Sequence, residues 1–292
     1  MKKIILTGLL TLMLIIPIAG ATNTIINNEK TSSAANDAFT HTVFVEYGSL
    51  TTCGPCVTAS AQLYSIYQSG DLDFIYGTLV FDAAGTSVKQ RLQELGVSSV
   101  PDVFFDGKYR HIIGSQPSET TYRNAISQAG ARVVPDFDIN LDVTWVGGGT
   151  LTISVSVINN EPDDYKGVIR IYILEKESRW NDNSGNPYHY AVLDIPLDRS
   201  LSLKSGQSRP LGDTYDFTKT WIGSLYGFGD ITIDNTMVIA AVFDADTDYI
   251  IESAAGEPTS DSGNNRLQGL IFTRFLNQIL NRFPILNNLF NL

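Results

Sequence analysis

The chain has 292 residues, 43% hydrophobic and 17% charged, which is enough apolar matter for one or two full cores and excludes a disordered chain. Its 20 basic and 31 acidic residues leave a formal charge of -11, which argues against nucleic acid as a partner, because phosphate contacts need a basic footprint. Only two cysteines occur, Cys53 and Cys56; a disulfide-scaffolded miniprotein is excluded, and any thiol chemistry is confined to one spot.

Lys2 and Lys3 precede an apolar run from Ile4 to Ile18, followed by the small residues Ala19-Gly20-Ala21. That pattern predicts an export signal over residues 1–21, cleaved after Ala21, and an extracytoplasmic protein, secreted or associated with the cell surface. The run is short for a bilayer span of about 20 residues and contains Pro17, which disfavours the alternative of a retained anchor. Residues 22–38 are polar and aperiodic and read as a flexible leader.

Folded structure is predicted from residue 39. Thr42 to Tyr47 is β-branched and aromatic, Val57 to Tyr67 carries apolar residues at helical spacing up to Ser69-Gly70, and Phe74 to Phe81 is a largely apolar run: a strand, a helix and a buried strand. Thr86 or Ser87 can cap a second helix with Val88, Leu92 and Leu95 on one face and Gly96 as its stop. Val103 to Phe105 and His111 to Ile113 flank the hairpin signal Asp106-Gly107, and Glu119 to Gln128 forms a last helix. Strands alternating with helices describe an α/β domain over 39–133.

Beyond Val133-Val134-Pro135 the pattern changes. Ile139, Leu141, Val143 and Trp145 alternate with polar residues, as do Leu151, Ile153, Val155 and Val157 after Gly147-Gly148-Gly149. With Gly167 to Leu174, Tyr188 to Ile195, Leu201 to Leu211 and Met237 to Phe243, an all-β sandwich of about seven strands is expected over 135–255. Asp244 to Asp248 lacks the glycine of a calcium loop and reads as a solvated turn, and His189 as a packed residue among strand aromatics. Residues 256–265 form a linker. The segment 266–292 has no acid and places Arg266, Arg274 and Arg282 eight residues apart beside a helical apolar stripe broken by Pro284. An amphipathic helix follows, suited to a membrane surface, to a partner, or to packing back on its own protein.

The chemistry centres on Thr52-Cys53-Gly54-Pro55-Cys56. At the start of a helix, positions 53 and 56 stand one turn apart, and Cys53 meets unpaired N–H groups and the positive end of the helix dipole, which favour its thiolate. Cys53 is then the nucleophile and Cys56 the resolving thiol of a two-electron shuttle, with Pro55 suited to the first turn. A purely structural bridge and half of a zinc site are the alternatives; zinc needs two further ligands that make no recognisable second pair here. No hydrolase elbow or nucleotide-binding loop occurs.

Val43 to Tyr47 before the cysteines, Leu95-Gly96-Val97-Ser98-Ser99-Val100-Pro101, the following Asp102 to Gly107, and Gly114 together resemble the thioredoxin family over residues 40 to 130. The resemblance implies that Pro101 is cis and shapes the site, that Val100 pairs through its backbone with the incoming polypeptide, and that Thr52, Gly54 and Pro55 contribute to the substrate surface. Thr52 stands where the family usually has Trp. Glu46, seven residues before Cys53 rather than the family's six, approximates its buried acid: a proton relay for Cys56 if buried beside it, or a solvated edge carboxylate if not.

The whole plan, with Ile169 to Glu175 and Asn186 to Leu193 as sandwich strands, resembles exported proteins in which an α/β thioredoxin-like domain is followed by an all-β immunoglobulin-like sandwich. The implied function is that of an exported thiol-disulfide oxidoreductase. It acts on protein thiols or disulfides, needs no cofactor beyond the Cys53–Cys56 disulfide, and exchanges electrons with a membrane donor or acceptor. The contrasting expectation is a non-enzymatic surface adhesion or assembly protein that uses the first domain as a scaffold.

Overall fold

The computed structural model describes residues 39–205 and 214–260. The export signal, the leader and the C-terminal helix expected above lie outside the described residues. In chain order the elements are β1 (Val43–Ser49), α1 (Gly54–Ser69), β2 (Phe74–Val80), α2 (Thr86–Leu95), β3 (Asp102–Phe105), β4 (Arg110–Ile113), α3 (Thr120–Gly130), β5 (Phe137–Gly147), β6 (Thr150–Asn159), β7 (Tyr165–Asn181), β8 (Pro187–Leu203), β9 (Thr214–Ile222), β10 (Thr236–Asp244), β11 (Ile250–Gly256) and β12 (Thr259–Ser260).

The strands form an eight-stranded sheet in the order β11-β10-β7-β8-β2-β1-β3-β4 and a four-stranded sheet in the order β12-β5-β6-β9. This overturns the expected fold class. The chain does not form an α/β thioredoxin-like domain followed by a separate immunoglobulin-like sandwich. β2 from the first half runs parallel to β8 from the second, with Thr78 opposite Ala191, and Thr78 Oγ1 donates to the His189 carbonyl at 2.8 Å. A mixed sheet therefore runs through the region where a domain boundary was expected.

The physical reason lies in β7, β8 and β10. Along β7, Ile169, Ile171 and Ile173 face β6, where they meet Leu151, Ile153, Val155 and Val157. The intervening Tyr172 and Leu174 face the other way and join the core built on β1 and β2. In β10, Val238, Ala240 and Val242 belong to the core shared with β6, and Met237, Ile239, Ala241 and Phe243 to the core built on β1 and β2. A sandwich strand with one wet face alternates apolar and polar residues; strands buried on both faces read as continuous apolar runs. Gly77 of β2 shows how close the approach is, since a Cβ there would meet Val192 Cγ2 at 2.9 Å.

Helices cover both faces of the first half. Tyr47 donates through its hydroxyl to the Cys56 carbonyl at 2.9 Å, and Phe105, opposite Val45 in the ladder, packs on Tyr122 of α3; α1 and α3 thus share the face of β1 that carries Val45 and Tyr47. On the other face Gly48 lies under Leu92 of α2. Helix α1 ends at Gly70 and α2 at Gly96, both in the left-handed conformation that favours glycine. Neither Thr86 nor Ser87 caps α2: its N-cap is Gly85, and Ser87 Oγ instead donates to Asp194 Oδ1 at 2.6 Å and accepts from Ile195 N at 3.0 Å, a further tie to β8. The expected strands Tyr188–Ile195 and Leu201–Leu211 are parts of the one strand β8 as far as Leu203.

The Asp244–Asp248 turn is not simply solvated. Asp248 accepts from Arg91 Nη1 and from Arg170 Nη1, each at 3.0 Å, and the turn docks on the β3–β4 loop through Lys108 N to Asp248 O at 3.2 Å and Ile250 N to Asp106 O at 3.2 Å.

Candidate redox site

β1 ends at Ser49 and α1 begins at Gly54, so Leu50 to Cys53 form the connection that carries the cysteine pair. The loop closes on itself through Cys53 N to Leu50 O at 3.1 Å. It is pinned from the turn after β2, where Phe81 N donates to Ser49 O at 2.9 Å and the Asp82 carboxylate accepts from Thr51 N at 3.0 Å and from Thr51 Oγ1. Cys53 is the N-cap of α1, and its Sγ accepts from Cys56 N at 3.2 Å. Pro55 stands in the first turn, where a missing N–H costs no helical bond. No acid occupies that turn, so no carboxylate of the helix itself offsets the positive end of its dipole beside Cys53.

Cys53 and Cys56 are joined, with an S–S distance of 2.06 Å and Cα atoms 5.3 Å apart. The pair is asymmetric: Cys53 keeps 9% of its surface in solvent and Cys56 none. Thr52, Gly54 and Pro55 are exposed around the outer sulfur. The Val100–Pro101 peptide is cis. Pro101 is buried and its carbonyl accepts from Gly114 N at 2.8 Å, while Val100 is half-buried. Because Asp102 pairs antiparallel with Gly48, the start of β3 lies at the end of the sheet where β1 delivers the cysteine loop. Pro101 and Val100 therefore share that end with Thr52 to Cys56.

Glu46 does not join them. In an extended strand, neighbouring residues point to opposite faces, and Tyr47 takes the Cys56 side. Glu46 turns to the α2 side, where its two oxygens accept from Arg91 Nε and Nη2, both at 2.8 Å, and from the Tyr172 hydroxyl at 2.9 Å. The structure thus buries Glu46, but as the partner of a buried arginine rather than as a relay beside Cys56; its place one residue too early for the family pattern puts it on the wrong face. Burial works against the Arg91 charge, but Glu46, Tyr172 and Asp248 outweigh it and hold the guanidinium protonated.

The groups that do stand at Cys56 are hydroxyls. Beside its bond to the Cys56 carbonyl, Tyr47 Oη lies 3.1 Å from Ser49 Oγ, which lies 2.9 Å from the Tyr188 hydroxyl; Tyr188 in turn donates to the Leu50 carbonyl at 2.8 Å. Burial pushes the Tyr47 phenol far above its ordinary value, with the Ser49 bond opposing it, so the hydroxyl stays a donor. The strand pattern carried one signal for this set: Ser49 shares the buried face of Val45 and Tyr47, where a polar side chain needs a partner. Nothing local to residues 40–130 pointed to Tyr188.

His189 is a packed residue, stacked on Tyr64 with ring centroids 3.5 Å apart; burial lowers its basicity, while bonds from the neighbouring backbone oppose that. Among the described residues, no group of three or more His, Cys, Asp or Glu is placed to hold a metal ion, and no helix is long and apolar enough to cross a membrane.

No protein-family model matches the chain, and no curated protein does. Among solved structures the chain is similar to HBP35 of Porphyromonas gingivalis, with a TM-score of 0.58 at 16% identity over 77% of this chain and 79% of that one; at that identity the likeness is one of fold. A protein of Agrobacterium tumefaciens aligns at a TM-score of 0.43 and 13% identity over 76% of this chain and 96% of its own. The β-glucuronidase of Bacteroides uniformis aligns at 0.25 and 15% identity over 40% of this chain and 12% of its own. The last two scores are too low to support any inference.

Proposed function

We propose that the chain is an exported thiol-disulfide oxidoreductase that exchanges disulfides with cysteines of extracytoplasmic proteins, as its thioredoxin-like motif implies. The observation that carries this reading is the asymmetric pair at the start of α1: an outer Cys53 whose Sγ accepts from the Cys56 N–H and an inner, fully buried Cys56.

In the reducing direction the Cys53 thiolate attacks one sulfur of a substrate disulfide. The Cys53–substrate bond forms, the substrate bond breaks, and its second sulfur leaves as a thiolate. Cys56 then gives up its proton, attacks Cys53 Sγ and releases the first substrate sulfur as a thiolate, which is protonated. The substrate gains two electrons and the pair becomes the disulfide. A membrane dithiol donor recharges it; run in reverse, the same steps oxidise a substrate dithiol and pass the electrons to an acceptor. Val100, beside the buried Pro101, offers its backbone to the incoming chain at the same end of the sheet.

The test uses the mature chain with a disulfide-bonded protein substrate and dithiothreitol as donor. Cys53→Ser abolishes turnover, and Cys56→Ser accumulates a mixed disulfide on Cys53. Wild-type protein that neither reduces the substrate nor equilibrates with glutathione would overturn the proposal and favour an adhesion or assembly scaffold.

A further inference from the structure

We infer that Tyr188, on the hairpin that the second half of the chain lays beside the cysteines, is a positioning residue that sets the reactivity of Cys53. The inference rests on the redox reading above but concerns the thiol itself, before any substrate binds.

The Tyr188 hydroxyl is tied to both ends of the disulfide. It donates to the Leu50 carbonyl at 2.8 Å, and that same carbonyl accepts the Cys53 N–H at 3.1 Å; Tyr188 therefore holds the acceptor that closes the loop on Cys53. Through Ser49 Oγ at 2.9 Å and Tyr47 Oη at 3.1 Å it also reaches the hydroxyl that grips the Cys56 carbonyl. Ser49, Tyr47 and Tyr188 are all fully buried. Water cannot replace a lost member of this chain without entering the core: without the Tyr188 hydroxyl the buried Ser49 O–H loses its acceptor, and the Leu50 carbonyl is held by the Cys53 N–H alone.

The hairpin turn beside the cysteines is closed by its own hydrogen bonds. Between β7 and β8 the Asp182 carboxylate accepts from Ser184 N at 2.8 Å and Asn186 N at 3.0 Å, and Asp182 N donates to Asn186 O at 2.7 Å. The turn so formed brings Asn183 Nδ2 to 3.9 Å from where a Cβ on Gly54 would stand, beside the residues between the cysteines.

The consequence falls on the thiolate. Cys53 Sγ is stabilised by the Cys56 N–H only while Leu50 O and Cys56 O hold both residues in register. Without the Tyr188 hydroxyl both anchors loosen, the N–H is less well aimed, and the Cys53 thiol becomes less acidic.

The reduced protein is alkylated with iodoacetamide across pH 5 to 9, and the rate at Cys53 is read by mass spectrometry. Tyr188→Phe lowers the rate at pH 7 by about three- to tenfold and moves the Cys53 titration upward by up to about one unit, and Ser49→Ala moves it the same way. Tyr76→Phe, which removes a buried hydroxyl with no partner, leaves the profile unchanged and controls for the deletion of a buried phenol hydroxyl as such. If Tyr188→Phe does not fold, Ser49→Ala decides. A profile that matches wild type in the folded variants overturns the inference, even if their melting points fall. A Cys53 titration that follows Tyr188 in a protein that exchanges no disulfide keeps the inference and overturns the proposed function.

Discussion

Strands β5 and β6 and strands β7, β8 and β10 lie in neighbouring stretches of the chain, and both were expected to build one sandwich. In β6 the buried Leu151, Ile153, Val155 and Val157 are separated by Thr152, Ser154 and Ser156, which are only partly buried. In β7 the run Ile169 to Leu174 is buried at every position, and in β10 burial is unbroken from Thr236 to Phe243. The first pattern needs one partner layer and the second needs two. The second layer is supplied by the helices and strands of the first half, and that requirement merges the two halves into one sheet.

The largest expected effect comes from the most expensive group buried on that second face. Glu46 and Arg91 face each other with 0% and 2% of their side chains exposed, and Glu46→Gln leaves a buried guanidinium without its main partner. Breaking a buried pair from one side costs about 3–5 kcal/mol, so the urea midpoint should fall accordingly while Cys53 alkylation in the folded protein stays normal. A loss below about 1 kcal/mol would mean that water reaches the pair.

Next comes Leu174→Ala, which should cost about 2–5 kcal/mol, against less than about 0.5 kcal/mol for Ser154→Ala on the wet face of β6. The loss should register equally in both halves. Trp145, Trp180 and Trp221, the three tryptophans of the chain, report the second half by fluorescence, and alkylation of reduced Cys56 reports the first. Coincident transitions are the expected outcome of one continuous sheet; a separate early transition at Cys56 would show that the β2–β8 seam yields on its own.

The smallest effect is one of pH. Burial raises the affinity of the Asp248 carboxyl for its proton, but Arg91 and Arg170 outweigh this and hold it below the usual carboxylate range. A carboxyl depressed in the folded state adds stability above its unfolded value of about 3.9, and that contribution is lost as pH falls through the folded value. Asp248→Asn should therefore be less stable than wild type at pH 7 and converge with it below about pH 4, measured as urea midpoints across that range. Asn is a suitable replacement because Asp248 has a positive φ of 58°, which Asn tolerates.

Local signals were legible where the physics is local. The spacing of apolar residues in α1 and α2, the glycine stops at Gly70 and Gly96, the Asp106-Gly107 hairpin and the cysteine pair at the head of a helix all depend on residues a few positions apart. Glu46 shows the limit, because its burial was a fair reading but its partner was not: Arg91 lies 45 residues away. Arg91 itself stands beside Leu92 on α2, where sequence gives no sign that a charge will be enclosed.

From the sequence alone come the spacing of Cys53 and Cys56 at the head of a helix and most of the individual strands, since each is set by backbone propensity and short-range periodicity. Tertiary structure alone decided that β8 would pair with β2, that Glu46 would turn away from Cys56, and that Tyr188 would reach the cysteine loop from 138 residues away in the chain. These outcomes depend on which apolar faces find each other, and a face buried twice has the same residues as a strand buried once until its second partner is known.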